Sequence, residues 1–297
     1  MIGSPVNITD VWMLMQDISL PLVIQKRLKN IITPAFVAKY STEITALSDA
    51  DTASDTWKKL DDYFFVNEPD GMQLLGVYLL AACMTKSKYE SAGVPDSIFI
   101  DTMKCFPRYL QDEYQRTGRW AFTRGFWTWR HLCCRMFRLG TLEFEYVLIK
   151  SNDLRPDNIF PESPVLFVHI PSDARLADED LQQSYQMSED FFAKTSASFC
   201  PAGPPQATLC NTWLLSPALQ TLLQPSSGIR RFSIDYKIYA IDPEDDSFYL
   251  WLYHGQKPPQ PLPQETSLQR MVYEHLQKGG NIGSARGIWT PLSVKSI

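Results

Sequence analysis

The chain has 297 residues, of which 44% are hydrophobic and 21% charged, and its formal net charge is −5 at pH 7. Because this length exceeds that of most single domains, we expect two domains. The acidic balance, with no run of lysines and arginines, excludes the charge pattern of a nucleic-acid-binding protein. The longest apolar run, Leu74–Met84, is too short to span a bilayer, so no membrane association is predicted.

The start of the chain also lacks the basic segment and apolar segment of a secretory signal peptide. The cysteines are scattered among apolar neighbours, which favours buried free thiols in a reducing compartment over a disulfide framework. They are Cys83, Cys105, Cys133, Cys134, Cys200 and Cys210. We therefore expect a cytoplasmic protein.

The first part of the chain has helical periodicity, with apolar residues three or four positions apart. Proline stands near expected helix starts at Pro69 and Pro95, and glycine stands at expected helix ends at Gly93 and Gly118. A helical domain over residues 1–139 is predicted. Its expected helices cover residues 9–17, 20–31, 33–47, 54–65, 69–93, 94–116 and 122–137.

After Gly140 the apolar period changes to two, which is typical of strands. The pattern predicts a mixed α/β layer domain over residues 140–297. Strands are expected at 142–149, 165–170 and 208–215, with helices at 178–195 and at 217–224, the latter capped by Ser216. A hairpin is expected between 230–241 and 247–254, followed by a helix from 267 to 278 and a strand at 287–292.

Four glycines near the end of the chain could hold a phosphate, since bare backbone N–H groups approach a ligand closely. However, Gly279 and Gly280 follow an amphipathic segment that opens with Thr266 and Gln269, the spacing of a capping box. A phosphate loop normally precedes a helix. The glycines are therefore predicted to end a helix and form a turn.

Several strings of the sequence are similar to those of a known family. They are "CRMFRLGTLEFEY" (Cys134–Tyr146), "VLFVHIP" (Val165–Pro171) and "CNTWLLSPALQTLL" (Cys210–Leu223). Together with the order of elements, they resemble bacterial two-domain acyltransferase-like proteins. This resemblance implies an all-helical N-terminal domain followed by a GNAT-like mixed α/β domain. It also implies transfer of an acyl group from acetyl-CoA or another acyl-CoA to an amine of a small molecule or peptide.

The resemblance suggests where such a reaction would occur. His169 would stand beside the splayed ends of two parallel strands as a general base, or else be a buried histidine bound to backbone. Asn211, which stands where the family has histidine, is a second candidate catalytic residue. The donor would contact Ile170, Ser172 and Arg175 in the loop before the next helix.

That loop departs from the family pattern, because it lacks glycine and the helix after it begins with Asp178, Glu179 and Asp180. These carboxylates suit the helix dipole but would repel a phosphate. An alternative hypothesis is therefore a catalytically inactive GNAT-like module that binds a ligand or a protein.

Other residue patterns have both a chemical and a structural interpretation. Cys210 is a possible nucleophile or a small buried side chain, and Glu143 and Glu145 are an acid–base pair or a solvated strand face. On the expected hairpin, Arg230 and Arg231 would point to opposite faces, and a tyrosine (Tyr236, Tyr239, Tyr249 or Tyr253) could protonate a leaving thiolate or pack in the core. "HLCC" (His131–Cys134) has no partner residues at zinc-binding spacing, so no metal site is predicted.

Overall fold

The protein is described by a computed structural model, which places residues 7–290. These residues form two compact units. The first comprises the chain up to Leu139 together with Lys194–Pro201, and the second comprises Gly140–Ala193 and the chain from Ala202 onward. The predicted strand at 287–292 extends in part beyond the described residues.

The first unit is helical, as predicted from the 3.6-residue periodicity. Its elements are α1 (Ile8–Asp17), α2 (Leu22–Ile31), α3 (Pro34–Lys39), α4 (Ser41–Leu47), α5 (Ala53–Asn67), α6 (Met72–Ser91), α7 (Asp96–Met103), α8 (Cys105–Thr117), α9 (Gly125–Leu132) and a short strand, β1 (Met136–Leu139).

Helix α6 is the centre of this unit. Residues Leu74–Ala82 are buried on every side of the helix, the pattern of a helix enclosed by others rather than one lying on a surface. Tyr78 packs edge-to-face against Phe122, with ring centroids 5.6 Å apart, and its hydroxyl donates to the Gly125 carbonyl oxygen at 3.1 Å. The buried hydroxyl is thus satisfied without water.

Two predicted helices of this unit are divided and a third is shorter than expected. The expected helix over 94–116 restarts at Cys105, because Pro107 in its first turn has no N–H to continue the earlier helix. The helix expected to reach residue 137 ends at Leu132, and Cys134 has a φ of 58° in the left-handed region. That conformation interrupts the helix, and the chain continues as β1.

The second unit contains a mixed sheet and the remaining helices. The elements are β2 (Leu142–Leu148), β3 (Pro164–His169), α10 (Asp178–Phe199, its end grouped with the first unit), β4 (Thr208–Thr212), α11 (Pro217–Leu222), α12 (Gly228–Ile234), β5 (Tyr236–Asp242), α13 (Phe248–Leu252), α14 (Ser267–Gln277) and β6 (Ser284–Trp289).

Within this unit the strand order is β2-β3-β4-β6-β5, and β3 and β4 are parallel while the other pairs are antiparallel. Helix α10 makes the crossover that a parallel pair requires. Its Tyr185 ring stacks on Trp289 at 4.4 Å and its hydroxyl lies 2.6 Å from that of Tyr236. The predicted fold class, a helical region followed by a GNAT-like mixed α/β domain, is confirmed.

The expected hairpin between 230–241 and 247–254 is wrong. Residues 228–234 and 248–252 are helices α12 and α13, and the strand that pairs with β5 is β6. In α13, Phe248 and Leu252 are buried whereas Leu250, midway between them, is 42% exposed. That spacing of four is helical, but over so short a run it resembles the alternation of a strand.

The helix and turn predicted at the end of the chain are present. Thr266 and Gln269 form a reciprocal capping box at the start of α14. At its end Gly279 has a φ of 80°, and the N–H groups of Gly279 and Gly280 donate to the carbonyls of Leu276 and His275. These glycines satisfy the last carbonyls of the helix and reverse the chain into β6.

Candidate functional site

The sheet of the second unit has two faces that differ in cover. One face carries Phe144, Val168 and Cys210, and Tyr185 of α10 packs on it against Phe144. The opposite face is called the site face here. Strand register puts on it the side chains of Glu143, Glu145, Phe167, His169, Leu209, Asn211, Arg286 and Ile288.

The parallel pairing of β3 and β4 stops before either strand ends. The last paired residues are Val168 and Cys210, whereas β3 continues to His169 and β4 continues to Thr212. Strand β4 remains paired with β6 through Thr212. The ends of β3 and β4 thus separate at their carboxyl edge, where open α/β sheets bind their ligands.

His169, the last residue of β3, contacts a carboxylate on the neighbouring strand. Its Nε2 lies 2.9 Å from Oε2 of Glu145, and the exposed fractions of the two side chains are 22% and 13%. Because an ionised carboxylate only accepts hydrogen bonds, Nε2 carries the proton in this contact, which makes Nδ1 the basic nitrogen. The contact with an ionised Glu145 thus favours one orientation and one tautomer of the His169 ring.

Glu143 and Glu145 do not form the solvated face that strand alternation suggested. Glu143 is 2% exposed and stands opposite His169 in the β2–β3 register, next to the contact just described. Glu145 is also largely shielded from water, with 13% of its side chain exposed. The sequence pattern identified the two residues but not their burial.

The next positions along this row of the site face are Asn211 on β4 and Arg286 on β6, which are direct cross-strand partners. Asn211 is exposed, whereas Arg286 is partly buried. Within residues 7–290 the Arg286 guanidinium has no hydrogen bond or ion pair. The sequence analysis did not select Arg286. A single arginine between small residues in a strand could have indicated a binding residue.

Two further polar groups lie near Arg286. Burial would raise the pKa of the Asp245 carboxyl, but hydrogen bonds from Ser284 and Ser247 and the charge of Arg286 lower it below its usual value. Burial raises the pKa of Tyr239 to about 12 against the smaller opposing effect of Arg286. The Tyr239 hydroxyl is buried and, among the described residues, without a hydrogen-bond partner.

The loop expected to contact the donor lies between β3 and α10. Ile170 packs against the apolar cluster around Trp213 and Leu214, while Ser172 and Arg175 are exposed. The Arg175 backbone N–H donates to Thr141 Oγ1 at 2.6 Å, and its guanidinium lies 3.2 Å from Asp180. The cation expected to meet a phosphate is thus paired with the first turn of α10.

A second arginine is held at the start of α10. Arg231, on α12, forms an ion pair with Asp178 and another with Asp235 at 3.2 Å. Burial alone would lower the pKa of Arg231, but these two carboxylates raise it. Asp178 and Asp180 at the start of α10 are therefore each paired with an arginine. This pairing reduces the repulsion of a phosphate that the sequence suggested.

The other residues that the sequence suggested for catalysis or binding make contacts that serve the fold. Cys210 is fully buried, donates to the Val168 carbonyl at 3.3 Å, and burial raises its pKa strongly, so it is not an activated thiolate. Tyr236 contacts Tyr185, Tyr253 donates to the Gln269 carbonyl, and Tyr249 packs on Phe248. Arg230 and Arg231 lie on α12 rather than on alternate faces of a strand.

Residues 7–290 contain no group of three or more His, Cys, Asp and Glu side chains placed to hold a metal ion. Among their helices, none combines the length and apolar character that crossing a bilayer demands.

Solved structures of acyltransferases share this fold. One, a complex with decanoyl-CoA and teicoplanin, has a TM-score of 0.73 at 17% identity, covering 93% of this chain and 86% of that one. A second, with CoA and 10C-teicoplanin, has a TM-score of 0.74 at the same identity and coverage. A third, with decanoyl-CoA, has a TM-score of 0.62 at 20% identity, covering 73% and 65%. No curated protein matches the sequence closely enough to count as a relative.

Two family models match consecutive parts of the chain. Residues 13–134 match the N-acyltransferase N-terminal domain, and residues 136–289 match the GNAT-like C-terminal domain. The second match covers more than half of the chain and includes every strand from β2 to β6. The resemblance recognised in the sequence is thereby confirmed, and the chain belongs to the family of proteins with a GNAT-like C-terminal domain.

Proposed function

We propose that this protein is an N-acyltransferase that moves an acyl group from acyl-CoA directly to an amine, with His169 as the general base. The observation that carries this proposal is the 2.9 Å contact between His169 Nε2 and Glu145 Oε2 beside the separated ends of β3 and β4. The N-acyltransferase description of the matched N-terminal domain and the acyl-CoA in structures of the same fold support it.

In the proposed reaction the amine nitrogen attacks the thioester carbonyl carbon. The C–N bond forms and the C–S bond breaks, so that CoA leaves as a thiolate, which becomes the thiol by taking up the proton that His169 passes on. His169 accepts the proton that the amine loses, and Glu145 stabilises the imidazolium that results, since it lies within hydrogen-bond distance. Asn211, which is exposed on the next strand, would orient the acceptor.

The donor would enter where β3 and β4 separate, because an extended chain fits between strands whose pairing has ended. Ile170, Ser172 and Arg175 would line its path toward the start of α10. Arg175 and Arg231 offer positive charge there, but each is paired with an aspartate. The phosphate end of the donor therefore does not meet a glycine-rich loop, and Arg175 would have to exchange Asp180 for a phosphate.

That same feature favours the rival hypothesis, a GNAT-like module without catalysis. Three acidic residues open α10, and the loop before it contains no glycine. A protein that binds no acyl-CoA would need neither a glycine in this loop nor a helix start without carboxylates. Binding of the donor therefore separates the two hypotheses.

The experiment that tests the proposal is acyl transfer from acetyl-CoA and decanoyl-CoA to a panel of amines, followed by mass spectrometry. We expect His169→Ala to reduce kcat by about 100-fold or more, the usual contribution of a general base, with the dissociation constant of the donor unchanged. His254→Asn is the matched control, because His254 is exposed and asparagine tolerates its φ of 55°. Equal turnover of wild type and His169→Ala would remove His169 from the mechanism.

A further inference from the structure

Arg286, at the edge of the proposed active site, is a charged side chain that has no ion-pair partner among the described residues. It is partly buried on β6, and within residues 7–290 its guanidinium makes no hydrogen bond or ion pair. A cation taken partly out of water loses solvation, and proteins normally compensate by pairing it. Since no described residue pairs with Arg286, we expect its partner to be an anion supplied from outside.

The position of Arg286 relates it to the proposed base. Arg286 and Asn211 are direct antiparallel partners, so their Cβ atoms are about 5 Å apart on one face of the sheet. His169 lies on the same face one strand further along, beyond Asn211, at a strand spacing of about 4.8 Å. Both side chains are long enough to reach toward the space above Asn211.

The neighbouring acid, Asp245, interacts with Arg286 through its charge but forms no ion pair with it. The Asp245 carboxylate is held by hydrogen bonds from the Ser284 side chain and the Ser247 N–H, the latter at 2.6 Å. Asp245 does, however, set the charge that the site can accept. One guanidinium beside one aspartate suits a single negative charge better than a phosphate dianion, which this carboxylate would repel.

We propose that Arg286 and Asn211 bind a carboxylate of the amine acceptor, so that the acceptor is an amino acid or a molecule carrying one. The inference rests on the proposed function. The planar guanidinium donates two parallel hydrogen bonds to a carboxylate, and the Asn211 amide adds a donor from the next strand. The amine, a few bonds from the carboxylate, would then lie toward His169.

The test compares pairs of amines with and without a carboxylate, namely glycine with glycinamide and β-alanine with β-alaninamide. A third pair, O-phosphoethanolamine with ethanolamine, tests a phosphate in place of the carboxylate. We expect the wild-type protein to acylate the free acid of a pair with a kcat/KM about 10- to 100-fold above the amide, the size of hydrogen bonds to a charged group. Arg286→Gln should remove this preference while the dissociation constant of acetyl-CoA stays unchanged. Arg286→Lys should retain part of it, because lysine keeps the charge but not the fork.

A second variant addresses the risk that Arg286→Gln fails to fold. Asn211→Asp changes an exposed side chain and places a carboxylate opposite Arg286, so it should abolish the preference in the same way. Lys278→Gln, which removes one positive charge just after α14, should leave the preference intact. Equal rates with acid and amide in the wild type would overturn the inference, as would a preference for O-phosphoethanolamine or an equal loss with both substrates in Arg286→Gln.

The failure of this inference is distinguishable from failure of the proposed function. If acetyl-CoA binds and amines are acylated without regard to the carboxylate, only the inference fails. If no amine is acylated, thermal unfolding with millimolar glycine or β-alanine decides the matter. Stabilisation that is lost in Arg286→Gln supports the carboxylate site, and no stabilisation contradicts it.

Discussion

The contact between Glu145 and His169 allows the change in kcat of Glu145 variants to be predicted for the proposed reaction. Glu145→Gln keeps the size of the side chain and an acceptor oxygen for Nε2–H but removes the negative charge. A hydrogen bond to a charged group contributes about 1.5–3 kcal/mol, against about 0.5–1.5 kcal/mol for a neutral one. Since both side chains are partly exposed, with 22% and 13% of their surface accessible, solvent screening favours the low end of the difference.

A loss of about 1 kcal/mol of transition-state stabilisation corresponds to about a fivefold lower kcat for Glu145→Gln. Glu145→Ala removes the whole interaction and should lower kcat by about 10- to 150-fold. The assay is release of CoA thiol under saturating acetyl-CoA and the best amine of the panel, measured for the single variants and for the double variant with His169→Ala. Glu179→Gln, in the exposed first turn of α10, is the control for loss of one negative charge.

In the proposed reaction Glu145 and His169 act as one unit. In the His169→Ala background, Glu145→Ala should then have little further effect, because the residue that it positions is gone. A Glu145→Ala effect of equal size with and without His169 would refute the positioning role. So would a change confined to the dissociation constant of acetyl-CoA.

Three further predictions concern stability. Asp245→Asn should lower the free energy of unfolding by about 0.5 kcal/mol near neutral pH. Because the pKa of Asp245 is depressed below 3.8, this difference should persist above that pH and vanish as the pH falls through the folded-state pKa, which urea unfolding from pH 7 to pH 2 would measure. Thr266→Ala breaks the capping box of α14 and should cost about 1 kcal/mol in urea unfolding, whereas Thr266→Ser should cost far less. Gly279→Ala puts a side chain at a φ of 80° and should lower stability by about 1–2 kcal/mol, and an unchanged unfolding midpoint would contradict the role of this turn.

Local signals account for the features that sequence reasoning predicted correctly. The start and end of α14 depend on Thr266, Gln269 and Gly279, which lie within a few residues of the conformations they determine. The change of period after Gly140 likewise marks the start of β2. Such features require no knowledge of the rest of the chain.

Long-range contacts account for the features that sequence reasoning missed. Strand β5 pairs with β6, more than forty residues later, rather than with the adjacent apolar segment, which forms α13. Glu143 is buried and Glu145 contacts His169 on the neighbouring strand, and alternation along one strand does not contain such tertiary contacts. Arg286 became a candidate only when the register placed it opposite Asn211.

The central claim is that the carboxyl edge of β3 and β4 receives acyl-CoA, and thermal unfolding with CoA and acetyl-CoA tests it most directly. A ligand present at 100 times its dissociation constant stabilises the folded state by about 2.7 kcal/mol, so a clear rise in the unfolding temperature is expected. Arg175→Glu should reduce that rise if this arginine meets the donor, while Lys278→Gln should not. An unchanged unfolding temperature at millimolar CoA and acetyl-CoA would contradict the acyltransferase account and favour the non-catalytic module.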